Sequence, residues 1–416
     1  MRGHEEASGT KYVPKELMDM WVRKDPVENY EKFLIAEGVL REKDVESIRK
    51  KIIKDIEAGL TIAFQETHPQ PKTESELTDV YSPYSSEEIA PLSNKSSERR
   101  FIDAISDGIR QSMERFPNLV LMGQDIAEYG GVFKITDGFV KQFGKERVRN
   151  TPICESAILG AALGLSIKGM KAMVEMQFAD FVSEGMTQLV NNLAKAHWRW
   201  GQNADVVVRM PTGAGTAAGP FHSQSNEAWF FHTPGLKIVY PSNPYDAKGL
   251  LCASFEDPNP VMYFEHKLLY RSIKEQVPDD YFTVKIGKAN LVREGSDISI
   301  VTYGMGVHWA TEILDSMNHI QADVLDLRTL LPWDKEAVEA TVKKSNRILI
   351  LHEDTLTGGI GAEISAWITE HCFNYLDAPV MRVASLDTPI PFAATLEQNF
   401  LPKGRLKSKI EELLAF

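Results

Sequence analysis

KAMVEMQFADFVSEGMTQLVNNLAKAHWRWGQNADVVVRMP, residues 171–211, carries two kinds of periodicity in one stretch. KAMVEMQF and DVVVRMP are near-continuous apolar runs, as expected of strands buried on both faces. Between them VSEGMTQLVNNLAKAHWRWG has helical spacing. Similar runs occur at NLVLMG, KIVYPS and PVMYFE, again separated by helical segments. This alternation predicts an α/β domain with a mainly parallel sheet, spanning 99–275.

Downstream of a charged stretch at 271–289 the alternation resumes with DISIVTYG, ADVLDLR, RILILHE and PVMRVAS, predicting a second, smaller α/β domain over 285–416. Upstream, residues 15–65 alternate apolar and charged side chains at helical spacing (Leu17, Met20, Trp21; Tyr30, Phe33, Leu34; Val45, Ile48, Ile52, Ile56), predicting two or three amphipathic helices. From 66 to 98 the pattern dissolves into Pro, Ser, Thr and acidic residues with little to pack. The expected division is a helical tail over 1–82, a linker over 83–98, and the two α/β domains.

The 416 residues exceed what one core holds, and 43% hydrophobic with 25% charged residues is an ordinary globular composition. A formal net charge of −12 without a basic stripe argues against nucleic acid. The three cysteines, Cys154, Cys252 and Cys372, form no CxxC pair and are expected to be buried small apolar residues in a reducing compartment. The polar start MRGHEEASGTKY lacks the apolar core of a signal peptide, and no run is long enough to span a bilayer, so a cytoplasmic protein with no membrane partner is expected.

Candidate chemistry begins at TPICESAILGAALGL, residues 151–165, where one carboxylate, Glu155, opens an apolar, small-residue run. A desolvated carboxyl stays protonated nearer neutral pH and can donate a hydrogen bond. Alternatively, Glu155 caps the N-terminus of a helix, where the dipole favours an anion. A second candidate is RMPTGAGTAAGPFHSQSNEAWFFHTPGL, residues 209–236, a strand running into a glycine-rich loop with His222 and His232. Ligands of open parallel sheets sit beyond the carboxyl ends of strands, which places His222 for proton transfer. Surface solvation for His222, and aromatic packing for His232, are the competing readings. In EMQFADF, Gln177 and Phe181 lie four apart at a strand-to-helix turn, while Phe178 and Phe181 also suit a core. TGGIGAE, 357–363, reads as a tight strand-to-helix turn, because no dinucleotide fingerprint accompanies it. The chain has no GxxxxGK[ST] phosphate loop, no HExxH and no GxSxG elbow.

The ordered segments ERRFIDAISDGIRQSMERFPNLVLMGQDIAEYGGVFKITDGF, TPICESAILGAALGL, EMQFADF, GPFHSQSNEAWFFHTPGLKIVYPSNPYDAKGLL, DPNPVMYFEHKLLYR, VLDLRTLLPWD and LDAPVMRVASLDTPIP resemble the beta subunit of the thiamine-diphosphate-dependent decarboxylating component of 2-oxo acid dehydrogenase complexes. RGHEEASGTKYVPKELMDMWVRKDPVENYEKFLIAEGVL is similar to the C-terminal tail of the alpha subunit of that enzyme, so the chain resembles part of an alpha–beta fusion. The resemblance implies a transketolase-like pyrimidine-binding domain followed by a transketolase C-terminal domain.

By the resemblance, Glu155 hydrogen-bonds N1′ of the cofactor's aminopyrimidine, a task that suits a sheltered, protonated carboxyl. His222 matches a histidine that works in acyl transfer to a lipoyl arm. Gln177, Phe181 and Ile153 match residues around the aminopyrimidine, and His4 matches a histidine at the diphosphate, although the family's HGHS is RGHE here. Backbone carbonyls near Ser254, Asp257 and Asn259 match a potassium loop of some relatives. The family holds magnesium through a GDG motif in the alpha part, and this chain contains no GDG. The implied partners are an alpha-type part, a second beta subunit and a lipoyl-bearing acyltransferase. MQFADF and AKAHWRWG lean to the branched-chain (2-oxoisovalerate) type over the pyruvate type. A transketolase-like or acetoin-cleaving enzyme and a non-catalytic assembly subunit are the alternatives.

Overall fold

The computed structural model describes residues 9–85 and 88–416, so His4 lies outside the described residues. The chain divides into two units, Met1–Lys72 and Thr73–Phe416.

Three helices make up the described part of the first unit: Lys15–Arg23, Pro26–Ala36 and Glu42–Gln65. The second begins where Asp25 accepts hydrogen bonds from the Val27 and Glu28 amides and Pro26 takes the first helical position; Pro fits there because that N–H has no helical partner. None of the three helices fully buries a side chain. Val27, Tyr30, Leu34, Val45, Ile48 and Ile52 line an apolar groove between the second and third.

In the second unit the strands are β1 (Ser96–Arg100), β2 (Leu119–Gly123), β3 (Val148–Asn150), β4 (Lys171–Glu175), β5 (Val206–Thr212), β6 (Lys237–Val239) and β7 (Val261–His266). They are followed by β8 (Lys274–Pro278), β9 (Asn290–Arg293), β10 (Ile298–Thr302), β11 (Ala322–Asp326), β12 (Thr329–Leu331), β13 (Ile348–Thr355) and β14 (Met381–Ser385). The first sheet runs β12-β6-β7-β5-β4-β2-β3 and is parallel except for β12 at its edge. The second runs β14-β13-β10-β11-β9, parallel except for β9. Every apolar run read as a strand from the sequence is one.

The two sheets share a core: Met210, Tyr240 and Phe264 of the first belong to the same buried cluster as Val301, Leu325 and Ile350 of the second. Because β12, which follows β11 of the second sheet in the chain, pairs with β6 of the first, the junction is held by backbone hydrogen bonds as well as packing. Tyr303 adds a 2.6 Å hydrogen bond to Glu227 across it.

Three features depart from the sequence expectations. The single helix expected over 182–201 is a 3₁₀ turn (Ala179–Gly185), a π-helical turn (Gln188–Leu193) and a short α-helix (Ala196–Trp200); π turns inside helices cluster at functional sites. Within the Pro/Ser-rich segment, Tyr81, Ile89 and Ser93 are tied to the sheet domain, the Tyr81 hydroxyl on Leu236 O, Ile89 N on Thr283 and Ser93 N on Asp280, and β1, at 96–100, pairs with β8. Of the cysteines, Cys252 and Cys372 are buried but Cys154 is exposed.

Candidate active site

Parallel strands bring their carboxyl ends to one edge of the sheet, and the adjacent strands β5, β4, β2 and β3 end there with the segments carrying His222, Gln177, Gln124 and Glu155. Glu155 is the first residue of the helix Glu155–Ile167 and is only 7% exposed. Its Oε1 accepts a 3.0 Å hydrogen bond from the Gln124 side-chain amide. The helix's N-cap is Cys154, whose side chain makes no cap bond. Beside the sheltered carboxyl, Ile153 is 83% exposed.

The 3₁₀ turn carrying Phe181 packs onto this helix. A Cβ on Gly185 would lie 2.2 Å from Leu159 Cδ1, so a larger residue there would force that side chain to move. Phe178 and Phe181 are half-buried, with neither side chain sealed into the core. Both stand roughly perpendicular to the His222 ring, with centroids 4.8 and 5.5 Å from the imidazole and interplanar angles of 84° and 80°. His222, also half-buried, is thus packed in an aromatic corner, where surface solvation was the competing reading. His232 is exposed, where packing against its aromatic neighbours was the competing expectation.

Several residues that the sequence did not single out fix the His222 loop. Asp180 Oδ1 accepts from the Ser223 and Gln224 amides, both at 3.2 Å, and Asn226 Nδ2 donates to Ala179 O at 2.9 Å. At the root of the loop, Lys267 Nζ donates to Gly213 O at 2.7 Å, and Glu353 Oε1 accepts from Ala214 N at 2.6 Å. Glu397 Oε1 accepts from Gly215 N at 2.9 Å. Gly213 has φ +92°, and a Cβ there would fall 2.1 Å from His266 Nε2, so the turn requires glycine. The other Glu353 oxygen lies 2.7 Å from His266 Nε2. Burial pulls the Lys267 ammonium down to about 8, against the opposing pull of Asp180, Glu353 and Glu397.

Beneath the site, fully buried Arg209 of β5 pairs with Glu175 of β4 at 2.6 Å and with both oxygens of Glu265 of β7. The Tyr270 hydroxyl donates to Glu265 at 2.7 Å. Such a triad ties three neighbouring strands together just below their functional ends. A cavity of about 330 Å³ opens between the His222 loop and the second sheet, lined by Phe221, Gln224, Asn226, Trp229, Asp354 and Ile390. Burial, then the nearby Glu227, raises the Asp354 carboxyl to about 8.

Ser254, Asp257 and Asn259 are all buried. Asp257 Oδ1 accepts from Asn259 N at 2.9 Å and from its side-chain amide at 2.8 Å, while Lys237 Nζ occupies Oδ2. The Ser254 hydroxyl donates to Leu250 O at 2.8 Å. Among the described residues, no group of three or more His, Cys, Asp or Glu side chains is placed to hold a metal ion. No described helix is long and apolar enough to cross a membrane.

Comparison with known proteins matches residues 97–273 to the transketolase pyrimidine-binding domain, 287–405 to the transketolase C-terminal domain and 1–72 to the dehydrogenase E1 component. The 2-oxoisovalerate dehydrogenase subunit beta of Bacillus subtilis is 44% identical over 322 residues, covering 76% of this chain and 98% of that protein. The mitochondrial 2-oxoisovalerate dehydrogenase subunit beta 2 of Arabidopsis thaliana is also 44% identical, over 76% of this chain and 88% of its own length. The pyruvate dehydrogenase E1 component subunit beta of Bacillus subtilis is 40% identical over 73% of this chain and 94% of its own. Among solved structures, a split-gene transketolase described as an inactive beta4 tetramer superposes with a TM-score of 0.63 at 21% identity, covering 76% of this chain and 98% of that one. That last likeness concerns the fold alone.

Proposed function

Because the chain belongs to the family of 2-oxo acid dehydrogenase E1 beta subunits, we propose that it is the beta half of an enzyme that oxidatively decarboxylates a branched-chain 2-oxo acid of the 2-oxoisovalerate type and passes the acyl group to a lipoyl arm. The observation that carries this reading is Glu155: a carboxyl 7% exposed, held by one amide, at the mouth of a parallel sheet. The family is thiamine-diphosphate-dependent. When bound, that cofactor supplies a carbon nucleophile for the 2-oxo group and an electron sink for the departing carbon dioxide.

The residues present fit the aminopyrimidine end of such a cofactor. Glu155 would hydrogen-bond the ring nitrogen and hold a proton there, with Gln124 fixing the carboxyl. Half-buried Gln177 and Phe181 and the exposed Ile153 would flank the ring. His222, held by its aromatic corner and by the Asp180 clamp on the next two amides, would position or protonate the acceptor in acyl transfer. The diphosphate end does not fit this chain's described residues, and we assign Mg²⁺ to an alpha-type part. The turn around Ser254, Asp257 and Asn259 is retained as a potassium loop that acts through backbone carbonyls.

The partners in this reading are an alpha-type chain, a second beta subunit and the lipoyl-bearing acyltransferase, in the cytoplasm, with the chain alone inactive. The branched-chain assignment is favoured by 44% identity to two 2-oxoisovalerate dehydrogenase beta subunits against 40% to a pyruvate dehydrogenase one. The deciding experiment assembles the chain with an alpha-type partner, thiamine diphosphate and Mg²⁺, and compares carbon dioxide release from 2-oxoisovalerate and pyruvate. Preference for 2-oxoisovalerate supports the reading. Preference for pyruvate refutes the branched-chain assignment, and release from neither refutes the activity.

A further inference from the structure

The loop from Gly213 to Gln224 is held by the carboxylates of Asp180, Glu353 and Glu397 and by the ammonium of Lys267. Asp180 grips its far end through the Ser223 and Gln224 amides, and Lys267 grips its root through Gly213 O. Lys267 is 8% exposed, and its own amide donates to Thr212 O at 3.0 Å, so the side chain leaves β7 from a fixed point. Its Nζ also lies 5.6 Å from the centroid of Phe178, the ring that packs T-shaped on His222. The ammonium therefore touches both supports of the imidazole, the loop backbone and the aromatic wall.

We propose that Lys267 is a positioning residue for His222, holding the loop root and the Phe178 ring so that the imidazole faces the acyl acceptor. The inference rests on the proposed acyl-transfer role of His222. Desolvating an ammonium is costly, and here Asp180, Glu353 and Glu397 oppose that cost while the bond to Gly213 O fixes where the charge sits. The groups facing it are the carboxylates of Asp180, Glu353 and Glu397, with the imidazole of His266 on its own segment and that of His222 across Phe178. Near its midpoint at about 8, the ammonium discharges and the charge-assisted bond to Gly213 weakens.

The test compares Lys267→Met and Lys267→Arg with the wild-type chain. In the enzyme assembled with its alpha-type partner, Lys267→Met should lower kcat for lipoyl acylation by about tenfold, the loss of one hydrogen bond to a charged group. KM for the 2-oxo acid should stay within about twofold, and Lys267→Arg should recover most of the rate, because it restores the cation. The melting temperature of Lys267→Met should not fall. In the 416-residue chain alone, the His222 ring resonances, assigned with His222→Gln, should shift in Lys267→Met and return towards wild type in Lys267→Arg. Unshifted His222 resonances with unchanged kcat overturn the proposal, as does a loss of rate that tracks a lowered melting temperature. If the wild-type assembly releases no carbon dioxide, the functional reading fails on its own, and the His222 resonances still decide for or against Lys267.

Discussion

Gln124 and Glu155, 31 residues apart in the chain, meet in a 3.0 Å hydrogen bond that joins the end of β2 to the first residue of the helix after β3. A buried carboxyl with one amide partner is oriented yet keeps an oxygen for a ligand. Replacing Gln124 by Ala should leave the fold intact and lower kcat about tenfold, the worth of one buried hydrogen bond to an ionisable group. Steady-state kinetics of the assembled enzyme with a melting curve of the chain checks this, and an unchanged kcat would show that Glu155 needs no such support.

Arg209 is the only positive partner that the structure gives to Glu175 and Glu265 among the described residues. Its replacement by Met leaves two buried carboxylates facing each other, which costs about 3–5 kcal/mol. Chemical denaturation at neutral pH should show a loss of that order. A variant within 1 kcal/mol of wild type, a threshold set at about the mean effect of a point mutation, would mean that solvent reaches the triad.

Asp326 is raised to about 7, first by burial and then by the neighbouring Asp246, with the Ser242 hydroxyl bond opposing. A carboxyl with a folded pKa above its unfolded value contributes stability that is full below about 4 and lost as pH rises through about 7. Asp326→Asn should abolish that part of the slope and be more stable than wild type at pH 8 by on the order of 2–4 kcal/mol. Parallel stability–pH curves for the two proteins would contradict the assignment.

Lys267 has the opposite sign. Its folded pKa, about 8, lies below the usual lysine value of 10.5, so the unfolded chain binds more protons between them and stability rises with pH across that window. The cost of keeping it charged is full below about 8. Lys267→Met should lack that rise, as measured by denaturation at pH 7.5, 9 and 10.5.

The sheet strands were legible because a strand buried on both faces is mostly apolar, as in LVLMG and, with Arg209 as its one charge, VVVRMPT. The strands that escaped are short or exposed: β3 and β12 have three residues each, and β8 shows only Val277 fully buried. Helical spacing in 182–201 is shared by 3₁₀ and π turns, so periodicity alone could not show the break. Glu155 stood out as a lone charge on an apolar run, and His222 as a histidine on a glycine loop. Gln124, Asp180 and Lys267 did not, because their roles depend on residues dozens of positions away. The nearest local signal was EHKLLY, a lysine directly after a fully buried strand, which a search for misplaced charges would have flagged.

In the proposed function, Glu155 holds a proton for the cofactor's ring. That role is tested most directly by Glu155→Gln in the enzyme assembled with its alpha-type partner, measuring single-turnover carbon dioxide release from 2-oxoisovalerate. The account predicts a fall of about 10²–10⁴-fold, the usual contribution of a positioned acid–base group, with the melting temperature unchanged. Turnover within a few-fold of wild type would contradict it.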